Sequence, residues 1–266
     1  MLPIEQIKLF LFDMDGTLYL GERLYPFTKE LLSTIRAQGK RYLFMTNNSS
    51  KSVEAYIEKL ARLGIDATGE DFITSSQATA DYLLRTYPDR CFYVGGTRSL
   101  VAEFRAAGLN VTDRRSEEVD AVVLGFDTEL TFAKLDDLSR LLRRDIPYIA
   151  THPDMVCPTE YGFVPDLGAV CEMLYHATGK RPYVVGKPKP LMPELAMRRI
   201  GVTPSETLVV GDRIYTDIAC GVNAGTHTLL VFSGETTRED LAASETKPSE
   251  AWADAGVLLE ALRALS

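Results

Sequence analysis

The sequence has few cysteines and no cysteine motif. Cys91, Cys157, Cys171 and Cys220 are scattered, with no CxxC pair. Neither a zinc site nor redox chemistry is expected of them, and they read as small buried hydrophobes. Basic runs are also missing. Lys and Arg number 29 against 37 Asp and Glu, a net charge of −8. Nothing in the chain offers the cation cluster that a nucleic acid or an anionic membrane needs, so neither is an expected partner. A phosphate ligand would have to be held at a local site, by a few cations or a metal. No charged segment followed by a long apolar stretch opens the chain, so no signal peptide is expected. No apolar run approaches the roughly 20 residues of a membrane helix. The expected location is the cytoplasm. Ser/Gly linkers, low-complexity tracts and fixed-period repeats are absent as well.

What is present is ordinary globular material. Of 266 residues, 45% are hydrophobic and 25% charged, enough for one large domain or two modest ones. Short apolar runs alternate with helical patterns. Leu9–Phe12 reads as a strand, 27–38 as a helix capped by Gly39, 41–45 as a strand and 53–63 as a helix stopped at Gly64. The alternation continues with strands at 91–94, 121–124, 148–150, 183–185, 208–210 and 229–232. Helices are expected after Thr97, after Thr131, over 169–177 and over 195–200, and Trp252 is expected in a C-terminal helix. This βαβ pattern predicts an α/β fold with a parallel sheet covered on both faces.

Four polar stretches follow strand-like runs. KLFLFDMDGTLYLG (8–21) ends a buried strand in Asp13 and Asp15. Residues two apart on an extended segment point the same way, so both acids are expected to face one site. Two such carboxylates resist joint ionisation unless a cation or a shared proton intervenes, and Mg2+ sites use one or two carboxylates with substrate phosphate. An isolated Asp-x-Asp-Gly is a common turn, and a calcium-loop reading fails on spacing, because the twelfth position is Leu24 rather than Glu. FMTNNSS (44–50) places Thr46, Asn47 and Asn48 before a helix, a suitable anion site. VVGKPKP (184–190) supplies Lys187, and LVVGDRIYTD (208–217) supplies Asp212 and Asp217. Turns and caps could explain any one of these stretches, but hardly all of them at strand ends.

DMDGT, TNN, GKP and GDRIYTD, in that order, resemble the four motifs of the haloacid dehalogenase superfamily of phosphatases. HATGKRPYVVGKPKP and AGTHTLLVFSGET resemble its NagD-like branch, which includes 4-nitrophenyl, phosphoglycolate and pyridoxal phosphatases. The resemblance covers nearly the whole chain. It implies a Rossmann-like core with an inserted α/β cap, and a Mg2+-dependent hydrolase of small phosphomonoesters such as sugar or polyol phosphates, nucleoside monophosphates or 4-nitrophenyl phosphate. By the same resemblance, Asp13 is the nucleophile and Asp15 the general acid and base. Thr46, Asn47 and Asn48 hold phosphate, and Lys187 offsets its charge. Asp13, the Asp15 carbonyl and Asp212 bind Mg2+, with Asp217 behind them. A phosphotransferase or mutase using the same aspartyl-phosphate, or a non-catalytic phosphate-binding protein, are the alternatives. The expected partner is a small phosphorylated metabolite, with the chain a monomer or homodimer.

Spacing locates the insertion. Thr46 and Lys187 stand about 140 residues apart, whereas one βαβ crossover takes roughly 30. The expected division is a core of 1–79 and 183–266 with a cap of 80–182. Within the cap, THPDMVCPTEYGFVPDLGA (151–169) stands out as a Pro-, Gly- and Asp-rich loop. The resemblance makes it a substrate loop, with His152, Asp154 and Asp166 as candidate contacts. Relatives often carry Asn at the position of His152 and Gly at that of Asp166. An Asp166 facing the pocket would disfavour a second anionic group on the substrate. YVGGTRS (93–99) reads as a strand-to-helix turn, and His176 as a structural helix residue.

Overall fold

The computed structural model describes residues 2–49, 53–159 and 161–265. Ser50, at the end of the second motif stretch, and Glu160, in the cap loop, lie outside them. The chain divides into two compact units. Among the described residues, the first comprises 2–46, 53–73 and 187–265, and the second 47–49, 74–159 and 161–186.

The first unit is built on a six-stranded sheet. Its spatial order is Glu250–Trp252, His227–Val231, Thr207–Gly211, Leu9–Phe12, Arg41–Thr46 and Phe72–Thr74. Leu9–Phe12 is central and wholly buried, which is why it is a continuous apolar run rather than an alternating one. It pairs in parallel with Thr207–Gly211 on one side and Arg41–Thr46 on the other. The chain first winds outward through Arg41–Thr46, then returns to wind the other way. The strand Leu9–Phe12 is therefore the switch point, and the carboxyl ends of three neighbouring strands open there. Helix Thr28–Ala37 covers one face by burying Leu31, Leu32 and Ile35, and the C-terminal helix Gly256–Arg263 buries Leu258, Leu259 and Leu262 into the same core. Trp252 is in a short edge strand, not in that helix. The helical expectation fails because three residues against one neighbour carry no readable period. The ring does pack against the core.

The second unit has its own five-stranded parallel sheet, in the order Tyr183–Val184, Tyr148–Ala150, Ala121–Leu124, Cys91–Gly95 and Asn110–Thr112. Its helices are stopped and started as side-chain capping dictates. Thr97 accepts from Leu100 N and Thr131 from Lys134 N, while Gly179 takes the left-handed position ending Leu167–Thr178. Tyr93, Val122, Leu124, Leu138 and Leu174 share its core. The strands Val156–Thr159 and Gly162–Pro165 pair antiparallel within the 151–169 stretch.

The unit boundaries differ from the expected 79/80 and 182/183 and fall at 73/74 and 186/187. Thr74 opens the helix Ser75–Thr86 with a capping box to Gln77, and Ser75 Oγ donates to Asn47 O. Tyr183–Val184 pairs with Tyr148–Ala150, which carries it into the second sheet. Among the described residues no helix is long and apolar enough to cross a membrane.

Candidate active site

The site assembles at the switch point of the first unit. Asp13 extends the ladder one residue beyond Phe12, its N–H donating to Val210 O at 2.9 Å. Across from it Asp212 follows the strand Thr207–Gly211. Asp217 comes next on a π-helical turn, Ile214–Ile218, whose wider winding returns its carboxylate to Arg213 N at 3.1 Å. One carboxylate oxygen from each of Asp13, Asp212 and Asp217 lies within 4.8 Å of the others.

Lys187 enters this cluster as its cation. Its Nζ donates to Asp13 Oδ1 at 2.7 Å, to Asp217 Oδ1 at 2.6 Å and to Met45 O at 3.1 Å. The lysine is buried. Burial alone would lower its pKa, but Asp13 and Asp217 outweigh that and raise it, so it stays charged. Asp13 is pushed up to about 6 by burial and by Asp217, with Lys187 opposing. Asp212 is pushed up to about 8 by burial and by the charges of Asp13 and Asp217. Asp212 Oδ2 accepts from Glu235 N at 2.7 Å, whereas Oδ1 is buried with no hydrogen-bond partner among the described residues. A buried carboxylate oxygen left unpartnered beside two more carboxylates fits a hard cation with oxygen ligands. Asp13, Asp212 and Asp217 are thus the residues that could hold Mg2+.

Two glycines make the approach to Asp212 possible. Gly16 has φ +83°, and a Cβ there would stand 2.5 Å from Asp212 Oδ2. A Cβ on Gly234 would stand 2.0 Å from the same oxygen. Ser233 Oγ donates to Gly16 O at 2.6 Å and Tyr25 Oη to Ser233 O at 2.7 Å, tying the two glycine segments together.

Asp15 does not share this carboxylate cluster. The chain leaves the sheet after Asp13 and turns at 16–18, with Thr17 and Leu18 N–H groups returning to Met14 O. Its carboxylate is half exposed and lies near Gly21 N at 3.4 Å and Lys59 Nζ at 3.9 Å. Two-residue spacing does not bring the Asp15 carboxylate into the cluster, because the chain has left the ladder after Asp13. Thr46 ends its strand and is buried, Asn47 is buried, and Asn48 is half-buried. Asn47 Nδ2 donates to both oxygens of Asp154, at 3.2 and 3.3 Å.

Sequence reasoning passed over Arg213, Glu235, Ser233, Gly234 and Tyr25. Arg213 Nε pairs with Glu235 Oε2 at 2.8 Å, and Glu235 is the residue whose N–H holds Asp212. The one available signal was the FSGET stretch, which supports Asp212 from about twenty residues downstream.

In the second unit, His152 is fully buried and Asp166 nearly so. Asp166 caps the helix Leu167–Thr178, accepting from Leu167 N at 2.6 Å. Its carboxylate is therefore turned inward rather than presented at the loop surface. Burial pushes Asp166 up to about 7 and the His152 ring down to about 4.

Comparison with known proteins places this geometry. A family profile described as haloacid dehalogenase-like hydrolase matches residues 10–110, and a second, described as HAD-hydrolase-like, matches 184–256. An acid sugar phosphatase of Staphylococcus aureus is 36% identical over 251 residues, covering 94% of this chain and 96% of that one. The chain belongs to the NagD-like branch of the haloacid dehalogenase-like hydrolases. Two solved structures are similar to it. A 4-nitrophenylphosphatase of Thermotoga maritima superposes with a TM-score of 0.91 at 40% identity, covering 97% of this chain and 98% of that chain. A glycerol phosphate phosphatase of Mycobacterium tuberculosis, in complex with magnesium, superposes at 0.89 with 33% identity, covering 97% and 77%. This NagD-like chain is accordingly an enzyme, a hydrolase of the phosphatase type.

Proposed function

We propose that the chain is a Mg2+-dependent phosphatase that hydrolyses small phosphomonoesters, sugar or polyol phosphates foremost, through an aspartyl-phosphate on Asp13. The observation that supports this most directly is the buried Asp13–Asp212–Asp217 cluster with Lys187 inserted between two of its members. An acid sugar phosphatase and a magnesium-bound glycerol phosphate phosphatase among the relatives favour that substrate class. Asp13 attacks phosphorus, an Asp13 Oδ–P bond forms, and the P–O bond to the alcohol breaks. Asp15, whose half-exposed carboxylate is outside the cluster, gives a proton to the departing oxygen. It then takes one from the water that attacks the aspartyl-phosphate, releasing inorganic phosphate and restoring Asp13. Lys187 and the backbone near Thr46 and Asn47 offset and orient the phosphoryl oxygens, since phosphoryl transfer depends mainly on position and charge. Asp13, Asp212 and Asp217 would hold Mg2+, which would supply charge neutralisation for nucleophile and phosphoryl group. Asp217 fixes Lys187. The second unit is the substrate-selecting cap, with Asp154 the more exposed of the two aspartates of its loop.

Phosphate release from 4-nitrophenyl phosphate, sugar phosphates, glycerol phosphate, phosphoglycolate, nucleoside monophosphates and pyridoxal phosphate tests the reading. Release should require Mg2+, stop with chelator, and fall by roughly 10^4-fold or more in Asp13→Asn. Turnover surviving Asp13→Asn would overturn the nucleophile assignment. Transfer to an added alcohol in preference to water would make the enzyme a phosphotransferase.

A further inference from the structure

The loop after Tyr148–Ala150 holds a cluster that substrate selection does not explain. Among the described residues, neither ring nitrogen of the fully buried His152 has a hydrogen-bond partner. Nδ1 faces Asp154 Oδ2 at 3.6 Å and Nε2 faces Asp166 Oδ1 at 3.7 Å. One donor atom from each of these three residues lies within 4.8 Å of the other two. Separations of this size are too long for hydrogen bonds. Two donors each about 2.0–2.2 Å from one ion stand about 3.4–3.7 Å apart at tetrahedral to trigonal angles, so whichever ring nitrogen takes the ion stands at a bridged distance from the carboxylate it faces. We propose that His152, Asp154 and Asp166 form a second divalent-cation site, which takes a first-row transition ion such as zinc.

The donor set gives the class of ion. The Asp13 cluster offers oxygen alone, which suits Mg2+, whereas an imidazole nitrogen with two carboxylates suits a borderline ion. The ring gives one nitrogen to the ion, and the other, on the far edge of the ring, keeps its proton. Both acids are held before any ion arrives. Asn47 Nδ2 donates to the two oxygens of Asp154, at 3.2 and 3.3 Å, and Leu167 N to Asp166 Oδ1 at 2.6 Å. The backbone around them is closed by Gly168 N donating to Asp154 O at 2.7 Å and Asp166 N to Met155 O at 3.0 Å. A Cβ at Gly168 would come within 2.3 Å of Pro153 O, so the turn has no slack. The Asp154 side chain is the accessible one, 19% exposed. It marks the side from which an ion reaches the site and where a water completes its coordination.

The test is metal content in the full chain carrying Asp212→Asn, which weakens the oxygen-only cluster. After chelator stripping and dialysis against a small excess of Zn2+, one zinc per chain is expected by atomic emission. Adding Asp166→Asn or, separately, His152→Gln should weaken zinc binding by more than the roughly 10–100-fold that losing an outer hydrogen bond costs. If the interior variants do not fold, zinc-edge anomalous diffraction from crystals of the unmodified protein decides the matter, with a peak expected among the three side chains. Zinc lost with Asp212→Asn alone, zinc undiminished in folded His152→Gln or Asp166→Asn protein, or a peak only at the Asp13 cluster would overturn the proposal.

Discussion

Lys187 is the residue on which the carboxylate cluster depends. It neutralises Asp13 and Asp217 inside the fold, and removing one partner of a buried ionic group typically costs about 3–5 kcal/mol because the other charges are stranded. Lys187→Met should therefore lower stability by about that amount in urea denaturation under chelator, with part recovered in Mg2+. Little or no loss would mean that the carboxylates are not held as charges. Gly16 makes a separate prediction. Its φ of +83° and its closeness to Asp212 leave no room for a Cβ, and a left-handed alanine costs roughly 1–2 kcal/mol on its own. Gly16→Ala should lower the melting temperature and weaken Mg2+ binding, read as a rightward shift of the Mg2+ titration. Asp13, Lys187 and Asp212 were legible in the sequence because each stands just beyond a run that reads as a strand, and Asp217 because GDRIYTD resembles a known motif as a whole. The position of Asp15 was not, because the ladder ends at Asp13 and the two-residue period stops with it. Glu235 was invisible because it supports Asp212 through its backbone N–H, which any residue possesses.

At the scale of elements, caps and short strands decide where the pattern could be read. Thr97 and Thr131 were readable as helix starts because a threonine before an apolar-periodic run is a local signal. Thr97 is buried and accepts from Leu100 N at 3.2 Å. Thr97→Ala should cost about 1 kcal/mol, measured by urea denaturation. The capping turn before Thr207–Gly211 carries a pH signature. Glu206 is held down to about 2, from an ordinary 4.5, by Lys8 and by the N–H and hydroxyl of Thr203. A depressed carboxylate stabilises the fold above its unfolded pKa, and that contribution is lost as pH falls through the folded one. Carboxylate NMR should find a Glu206 midpoint near 2, and Glu206→Gln should flatten the acid side of the stability profile between pH 4.5 and 2. A midpoint near 4.5 would show that the Lys8 and Thr203 contacts do not hold it. The strands Phe72–Thr74 and Glu250–Trp252 were missed because three residues at a sheet edge show neither alternation nor a long apolar run.

For the whole molecule, two parallel sheets in one chain were legible from the surplus of βαβ units between Thr46 and Lys187, but their borders were not. Tyr183–Val184 is two residues long, and its sequence suits an edge strand of either sheet; only its pairing with Tyr148–Ala150 assigns it. The switch-point cluster belongs to the first sheet alone, so an ion bound there should stabilise that unit by mass action. At a hundred times its dissociation constant, Mg2+ should add about 2.7 kcal/mol, seen as a melting transition that rises with Mg2+ and returns with chelator. The account stands or falls on the covalent step at Asp13. Rapid acid quench during turnover of a sugar phosphate, followed by borohydride reduction and peptide mass spectrometry, tests it directly. The account predicts homoserine at position 13, formed from the aspartyl-phosphate, and none in Asp13→Asn. Steady phosphate release with no modified residue at position 13, or with the label on another carboxylate, would contradict it.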